Sequence, residues 1–437
     1  MRIGIIGGGP AGYSAALRLS EKGNKVHLFE KSKVGGVCLN VGCIPAKSII
    51  YSASLFDIVN SDKKKPDWKK IQEKKNMAVK KVLLGLKGLL KEKKIEIIKE
   101  AAKLNRDGSI ETGKKFYFDK VIVATGSKPV VPPFPTPKDA WGSTEVLEAS
   151  ELTESIIIIG AGYIGMEFGY IFSCLGSKVS LIEKENEILP GEDVESAAIL
   201  RKSMMRKGLK LYLSSEVIEI KKESKKFKVI FKNNNKDEKI EGDRVLIAIG
   251  RKPNTDNLPG EILEGNKMVK VNDFLETDMK NVYAAGDCIG GYLLAHSAYK
   301  DAEIAADNIS GEKIRKSRFA IPRVVYTEPE LASVGKSEEK IKSEGIDYIV
   351  SKVPFASNPR AITTGKNRGQ IKLIHTIDGK IIGCNIIGES ASELISLIGL
   401  AMNESINVKK LSEIVFPHPT FSEVIGKVSA VAQSEAV

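Results

Sequence analysis

The chain has 437 residues, too many for one hydrophobic core and enough for two to four domains. Its 42% apolar and 28% charged residues exclude a disordered or fibrous chain, and five cysteines are too few for a secreted disulfide framework. The net charge of +12 raises nucleic acid as a partner, but the lysines are dispersed and many alternate with glutamate, as in Lys91-Glu92-Lys93-Lys94.

In chain order, Arg2–Ile6 reads as a strand, Gly7–Gly12 as a glycine-rich turn, Tyr13–Lys22 as a helix and Lys25–Glu30 as a second strand. A strand so close to Met1 leaves no room for a charged-then-apolar leader, and no apolar run is long enough to span a bilayer. A cytoplasmic protein with no membrane and no nucleic-acid partner is expected. Next comes Gly35-Gly36-Val37-Cys38-Leu39-Asn40-Val41-Gly42-Cys43-Ile44-Pro45-Ala46-Lys47. Two cysteines in a C-x4-C spacing make an unusual zinc half-site, and no second cluster exists to complete four ligands. They fit a short redox-active disulfide, or a chance pair of buried thiols; their place just after a glycine fingerprint favours the disulfide. Lys63 to Lys75, the densest basic stretch, reads as a solvated polar helix with few aromatics to stack on bases.

The opening pattern then repeats. Ile156–Ile159 is a strand, Gly160 to Gly165 a turn, a helix runs to Leu175, and Lys178–Glu183 is the next strand. Both turns are G-x-G-x-x-G, at Gly7, Gly9, Gly12 and at Gly160, Gly162, Gly165, and each following strand ends in a glutamate, Glu30 or Glu183, 23 residues beyond the first glycine. The first glycine permits the tight turn, the second lets backbone approach a pyrophosphate, and the third lets helix and strand pack closely. The terminal carboxylate accepts hydrogen bonds from an adenosine ribose. One such fingerprint is weak; two in matched context point to two dinucleotides, a flavin and a nicotinamide. Val121–Gly126 and Val245–Gly250 read as the closing strands of two nucleotide domains. Val282–Asp287 is a third such strand, ending in a carboxylate suited to a flavin's ribityl hydroxyls.

With these motifs in place the sequence resembles the flavoprotein disulfide reductases, over essentially its whole length. The resemblance is carried by the two-cysteine segment, Ala124-Thr125-Gly126, Ala284-Ala285-Gly286-Asp287 and His418-Pro419-Thr420-Phe421-Ser422-Glu423, in that order. It implies an α/β fold with two Rossmann-like dinucleotide-binding domains, FAD on the first fingerprint and NAD on the second, and an α+β C-terminal dimerisation domain that makes a homodimer. The expected segments are 1–145 for FAD, 146–253 for NAD, 254–315 completing the FAD domain, and 316–437 for the interface.

Carried over by residue, the resemblance makes Cys43 the flavin-proximal sulfur and Cys38 the interchange thiol. Lys47, one turn after Cys43, would lie near the flavin and pair with Glu167. His418 would be the catalytic base, supplied by the partner subunit and oriented by Glu423, with a His-Pro bond that X-Pro energetics allow to be cis. Further cofactor contacts are implied at Ala101, Thr125, Gly126, Asp287, Ala295, Val217 and Gly250. Ala46 stands where serine is frequent, and Phe416 where many members carry another histidine. Within the family, the branch that oxidises dihydrolipoamide with NAD+ is the best match, with a lipoyl domain of a 2-oxoacid dehydrogenase complex or of the glycine cleavage system as partner. The rival is an NAD(P)H-dependent reductase of another small disulfide such as glutathione. Glu183 would repel a 2′-phosphate, although Lys184 and Lys178 blur that signal. A mercuric reductase would need a cysteine pair near the C-terminus, and none follows Cys384.

Overall fold

The computed structural model describes residues 1–59, 65–234, 236–265 and 267–436. Two compact units alternate along the chain: residues 1–49, 68–131 and 250–318 form one, and 50–67, 132–249 and 319–437 the other.

The first unit is built on a five-stranded parallel sheet in the order Val282–Ala284, Lys120–Val123, Arg2–Ile6, Lys25–Phe29, Glu96–Ile98. In the central strand Ile3 lies opposite Val26 and Lys120, and Ile5 opposite Leu28 and Ile122. Ile3, Ile5, Leu28 and Ile122 are fully buried, as expected of a parallel sheet covered on both faces. Helix Pro10–Glu21 buries Ala11, Ala15, Ala16 and Leu19, and helix Ala295–Ile309 buries Ala298, Ala302, Ala305 and Ala306. These small side chains allow close approach: a Cβ on Gly286 would lie 2.9 Å from that of Ala11 and 3.2 Å from that of Ala298.

The second unit repeats the theme with four parallel strands, Lys210–Tyr212, Lys178–Ile182, Ser155–Ile159 and Arg244–Ile247 in that order. An antiparallel meander, Ser215–Glu223, Lys226–Asn233 and Lys236–Gly242, packs Val217, Ile220, Phe227 and Phe231 against Ile157 and Ile159. The rest of this unit is a five-stranded antiparallel sheet, ordered Arg323–Val325, Glu330–Gly335, Ile381–Gly388, Gln370–His375, Ile349–Pro354. Helices Ala391–Asn403 and Glu423–Glu435 bury Leu394, Ile395, Ile398, Val424, Ile425 and Val428 in the core it shares. The α/β class and the mixed C-terminal domain are as the sequence predicts.

Three expectations shift. The fingerprint helices begin at Pro10 and at Tyr163, each two residues before the third glycine, so Gly12 and Gly165 lie inside helices rather than in turns. Proline's fixed φ suits the first helical position and starts the first helix early. The lysine-rich helix is Trp68–Glu92; residues 65–67 precede it, and Lys63 and Lys64 lie outside the described residues. Lys69, Lys70 and Lys74 are exposed, but Lys75 is buried. Finally, Gly36–Val59 is long and apolar enough by composition to cross a membrane, an apolar stretch the sequence reading did not register. Gly42, at φ −146° and ψ −112°, divides it into helices Gly36–Val41 and Cys43–Val59.

Candidate active site

The two fingerprints have one geometry. A Cβ on Gly7 would lie 2.1 Å from the Ala124 carbonyl oxygen, and one on Gly12 would lie 1.7 Å from that of Gly7. The corresponding distances are 2.5 Å for Gly160 to the Ala248 oxygen and 1.9 Å for Gly165 to the Gly160 oxygen. The middle glycines differ: Gly9 would meet only Gly36 Cα at 3.9 Å, and Gly162 nothing within 4 Å. Each middle glycine is also the N-cap of its helix and offers no side-chain cap. First and third glycines are thus needed by the fold itself, whereas the second leaves open space in front of a helix N-terminus, which fits a pyrophosphate. Glu30 accepts from Gly8 N at 2.7 Å and Ser32 N at 2.8 Å; Glu183 accepts from Ala161 N at 2.5 Å and Glu185 N at 2.9 Å. Both carboxylates are fixed beside their turns.

The cysteine segment lies on the first fingerprint. Gly35 N donates to the Gly8 oxygen at 2.7 Å, and a Cβ on Gly36 would lie 2.7 Å from Gly9 Cα, so only glycine fits there. Cys38 lies on helix Gly36–Val41, and Cys43 is the first residue of helix Cys43–Val59. Cys38 and Cys43 are unbridged, and their side chains are hydrogen-bonded to each other. The Cys38 thiol is pushed far up from its ordinary pKa, first by its hydrogen bond with Cys43 and then by burial; the Cys43 N–H and the Lys47 ammonium pull the other way. Cys43 occupies the first position of its helix, a place where a helix N-terminus can stabilise a thiolate. Lys47 follows one turn later on the same helix.

Asp287, three residues beyond strand Val282–Ala284, accepts from the Ser127 hydroxyl at 2.5 Å. Ser127 is held in turn by Arg251, whose Nε donates to Ser127 Oγ at 2.8 Å and whose Nη2 donates to Ser127 O at 2.8 Å. Burial lowers the Arg251 pKa, opposed by the charges of Asp287 and Cys43, which places a guanidinium in reach of both. Thr125 Oγ1 donates to the Asn254 oxygen at 2.6 Å, and Asn254 N to the Gly126 oxygen at 2.8 Å. Sequence reasoning missed Ser127 and Arg251, although the Gly-Arg pair ending the Val245–Gly250 motif was a usable signal. It also missed the hydroxyl pair of Tyr13 and Tyr299, 2.6 Å apart, both raised in pKa chiefly by burial and, less strongly, by the nearby cysteines.

The remaining expected residues fall in several places. Ala101 is exposed, Ala295 opens helix Ala295–Ile309, and Gly126 and Gly250 have positive φ with nothing within 4 Å of a Cβ. The Val217 side chain is in the core, so only its main chain is available to a ligand. Glu167 is buried on helix Tyr163–Cys174 and accepts from Tyr326 N at 3.2 Å. In the C-terminal domain His418 Nδ1 and Glu423 Oε1 are 2.9 Å apart, Thr420 N donates to Glu423 Oε2 at 2.9 Å, and the His418-Pro419 bond is cis. The Glu423 pKa is lowered first by His418 and then by the Thr420 N–H. Phe416 packs its ring on Gly426, whose Cβ would lie 2.9 Å from it.

A hydrogen-bonded dithiol on one dinucleotide fingerprint, a second fingerprint and a histidine–carboxylate pair define the class: a dinucleotide-dependent disulfide oxidoreductase. Residues 1–302 match the pyridine nucleotide-disulphide oxidoreductase family and residues 321–429 its dimerisation domain; the chain belongs to this family. It is 35% identical over 447 residues to a dihydrolipoyl dehydrogenase of Geobacillus stearothermophilus, covering 98% of this chain and 95% of the relative. With a dihydrolipoyl dehydrogenase of Buchnera aphidicola it shares 39% over 453 residues, with the same coverage. Among solved structures, the HOCl-induced flavoprotein disulfide reductase RclA from Escherichia coli superposes with a TM-score of 0.89 at 28% identity, covering 99% of this chain and 100% of that one. The expected family is borne out, the expected activity is the one these dehydrogenases are named for, and the dimerisation domain supports the expected homodimer.

Proposed function

We propose that the chain is an NAD-dependent dihydrolipoyl dehydrogenase that oxidises dihydrolipoyl groups carried on a partner protein. The observation that carries this reading is the Cys38–Cys43 dithiol seated directly on the first fingerprint. FAD held on that fingerprint would supply the two-electron redox chemistry that links the dithiol to a nicotinamide held on the second. The chain's own residues handle sulfur and protons. In the oxidised enzyme, one substrate thiol loses its proton to His418 Nε2 while Glu423 holds Nδ1, and the thiolate attacks Cys38. That forms a mixed disulfide and releases Cys43 as thiolate. The second substrate thiol then closes the substrate's disulfide and frees Cys38. Two electrons and one proton reach NADH, and one proton is released to solvent.

Gly7, Gly9, Gly12 and Glu30 would hold FAD with Asp287, Lys47, Thr125, Gly126, Ala101 and Ala295. Gly160, Gly162, Gly165, Glu183, Val217 and Gly250 would hold NAD, and Glu167 would support Lys47. The four-segment division proposed from sequence goes with this assignment. NAD is preferred over NADP because the Glu183 carboxylate opposes a 2′-phosphate, while the Lys184 ammonium pairs with Glu216 at 3.1 Å. His418 is 68% exposed in the single chain, which supports its service to a partner subunit. The lipoyl group would arrive on a lipoyl domain of a 2-oxoacid dehydrogenase complex or of the glycine cleavage system. We place the enzyme in the cytoplasm, since five cysteines in 437 residues are too few for a secreted disulfide framework. Steady-state rates with dihydrolipoamide and with reduced glutathione, each with NAD+ and NADP+, test the reading. Dihydrolipoamide with NAD+ should dominate, and faster turnover with glutathione would overturn it.

A further inference from the structure

In the C-terminal domain, three side chains from separate elements form one line of hydrogen bonds. His375 ends strand Gln370–His375 and is fully buried, and Ser351, 1% exposed, lies on the neighbouring strand Ile349–Pro354. The register sets Ser351 opposite Leu373 and His375 opposite Ile349, so both lie on the face that shares its core with helix Glu423–Glu435. His375 Nδ1 is 2.9 Å from the Thr376 oxygen, and Nε2 is 3.2 Å from Ser351 Oγ. Ser351 Oγ is in turn bonded to Glu435 Oε2, on the last turn of that helix. The same helix begins at Glu423, the carboxylate that holds His418.

Three hydrogen bonds in a line need three protons. The two ends of this line, a main-chain carbonyl and a carboxylate, only accept. A neutral imidazole brings one proton and the serine hydroxyl one, which leaves one of the three contacts as facing lone pairs. A further proton completes the line, whether it makes an imidazolium beside a carboxylate or a neutral imidazole beside a carboxylic acid. We propose that His375, Ser351 and Glu435 form a proton-operated clasp, which takes one proton from solvent to fasten the last turn of helix Glu423–Glu435 to the sheet. The fastened state holds one proton more than the loosened one, so lower pH closes the clasp and higher pH opens it. Other ionisable groups nearby are engaged elsewhere. Lys352 and Lys372 lie on the opposite face of the sheet, where they pair with Glu195 and with Asp193 and Glu338. Strand Ile381–Gly388 places the Cys384 thiol opposite Leu373, and burial raises its pKa. In the turn after His375, Asp378 accepts from the Thr376 hydroxyl. Lys380 is exposed there, as are Lys409 and Lys410 of helix Val408–Ser412. The clasp is independent of the substrate and cofactor assigned above.

Imidazole ordinarily changes charge between about pH 5 and pH 8, which sets the range of the test. Hydrogen–deuterium exchange of the holoenzyme is measured at about pH 6 and about pH 8.5 by mass spectrometry of the C-terminal peptide, corrected for intrinsic rates. Amides of the last turn, Ala432 to Ala436, should be about three- to tenfold more protected at the lower pH, the worth of one net hydrogen bond. Glu435→Gln should erase that dependence. Its amide donates to Ser351, the Ser351 hydroxyl then donates to a neutral His375, and the line is complete with no added proton. Protection in this variant should agree within about twofold at the two pH values. Ser351→Ala cuts the line in the middle and should be held as loosely at low pH as wild type is at high pH. Equal protection of wild type at both pH values would overturn the proposal. So would a pH dependence that persists unchanged in Glu435→Gln, which alters one exposed side chain and decides the matter if Ser351→Ala does not fold.

Discussion

Replacing Gly162 and Gly165 separately by alanine should divide ligand binding from folding within one motif. Gly162 has φ −71° and ψ −173°, which alanine adopts freely, and its Cβ would meet nothing within 4 Å. Loss of unfolded-state entropy stabilises such a variant by about 0.4–1 kcal/mol, and alanine's poorer N-capping offsets this, leaving stability within about 1 kcal/mol of wild type. The methyl group, however, occupies the space through which a pyrophosphate reaches the helix N–H groups. Losing one or two charge-assisted hydrogen bonds, at about 1.5–3 kcal/mol each, weakens NAD+ binding by at least roughly tenfold. Gly165→Ala reverses the pattern. Its Cβ would sit 1.9 Å from the Gly160 carbonyl oxygen, a backbone atom that cannot move without displacing the turn. Overpacking of this kind costs about 1–3 kcal/mol, and the upper end is expected here. Urea unfolding and titration calorimetry of NAD+ on the two purified variants read both quantities. NAD+ affinity within twofold of wild type in Gly162→Ala would refute the assignment of that turn to the nucleotide.

Other outcomes follow from the same geometry. Cys38→Ser should stop dithiol oxidation but leave a thiolate–flavin charge-transfer absorption, whereas Cys43→Ser should abolish that band; the opposite pattern would invert the assignment. NAD+ should exceed NADP+ in kcat/KM by about a hundredfold or more because of Glu183, and comparable efficiencies would defeat the argument. Cys38→Ser and His418→Gln homodimers should be nearly inactive, yet randomly mixed hybrids should recover roughly a quarter of wild-type activity if each site draws on two chains. Verified hybrids no better than their parents would show that the site is not shared. The Glu338 pKa is pushed down to about 2, first by Lys342 and then by Lys372. Its depressed value means the stabilisation is fully present above the ordinary carboxylate range and is lost as pH falls towards about 2. Urea midpoints of wild type and Glu338→Gln should therefore converge between about pH 5 and pH 2, and a gap that persists at the acid end would contradict this.

Much of the active site was legible because its physics is local. The glycine turns, their glutamates and the two cysteines are set by residues close in sequence, and His418 and Glu423 are only five residues apart. The parallel strands could be read as unbroken apolar runs such as Ile156–Ile159. The helix starts at Pro10 and Tyr163 were placed too late because a glycine was read as part of the turn although its neighbours already had helical geometry. Arg251 and Ser127 were not legible in the same way. Their roles are set by partners 124 to 160 residues distant, which no spacing rule relates. The meander Ser215–Gly242 also went unpredicted, since its alternation of lysine and glutamate with Val217, Ile220, Val229 and Phe231 carries little signal until the apolar face finds Ile157 and Ile159.

The first sheet is assembled from pieces that leave the ribosome at very different times. Strand Lys120–Val123 pairs on one side with Arg2–Ile6, available from the start, and on the other with Val282–Ala284. At about 5–20 residues per second, roughly ten to thirty seconds separate Lys120–Val123 from Val282–Ala284 during synthesis. Throughout that interval Val121, Ile122 and Val123 form an open apolar edge, while the whole intervening nucleotide domain emerges and is free to fold. A nascent chain that stalls before Tyr283 thus carries one domain that can be finished and another with a sticky margin, so translational pausing between these two strands is where this enzyme is most exposed to aggregation and most in need of a chaperone.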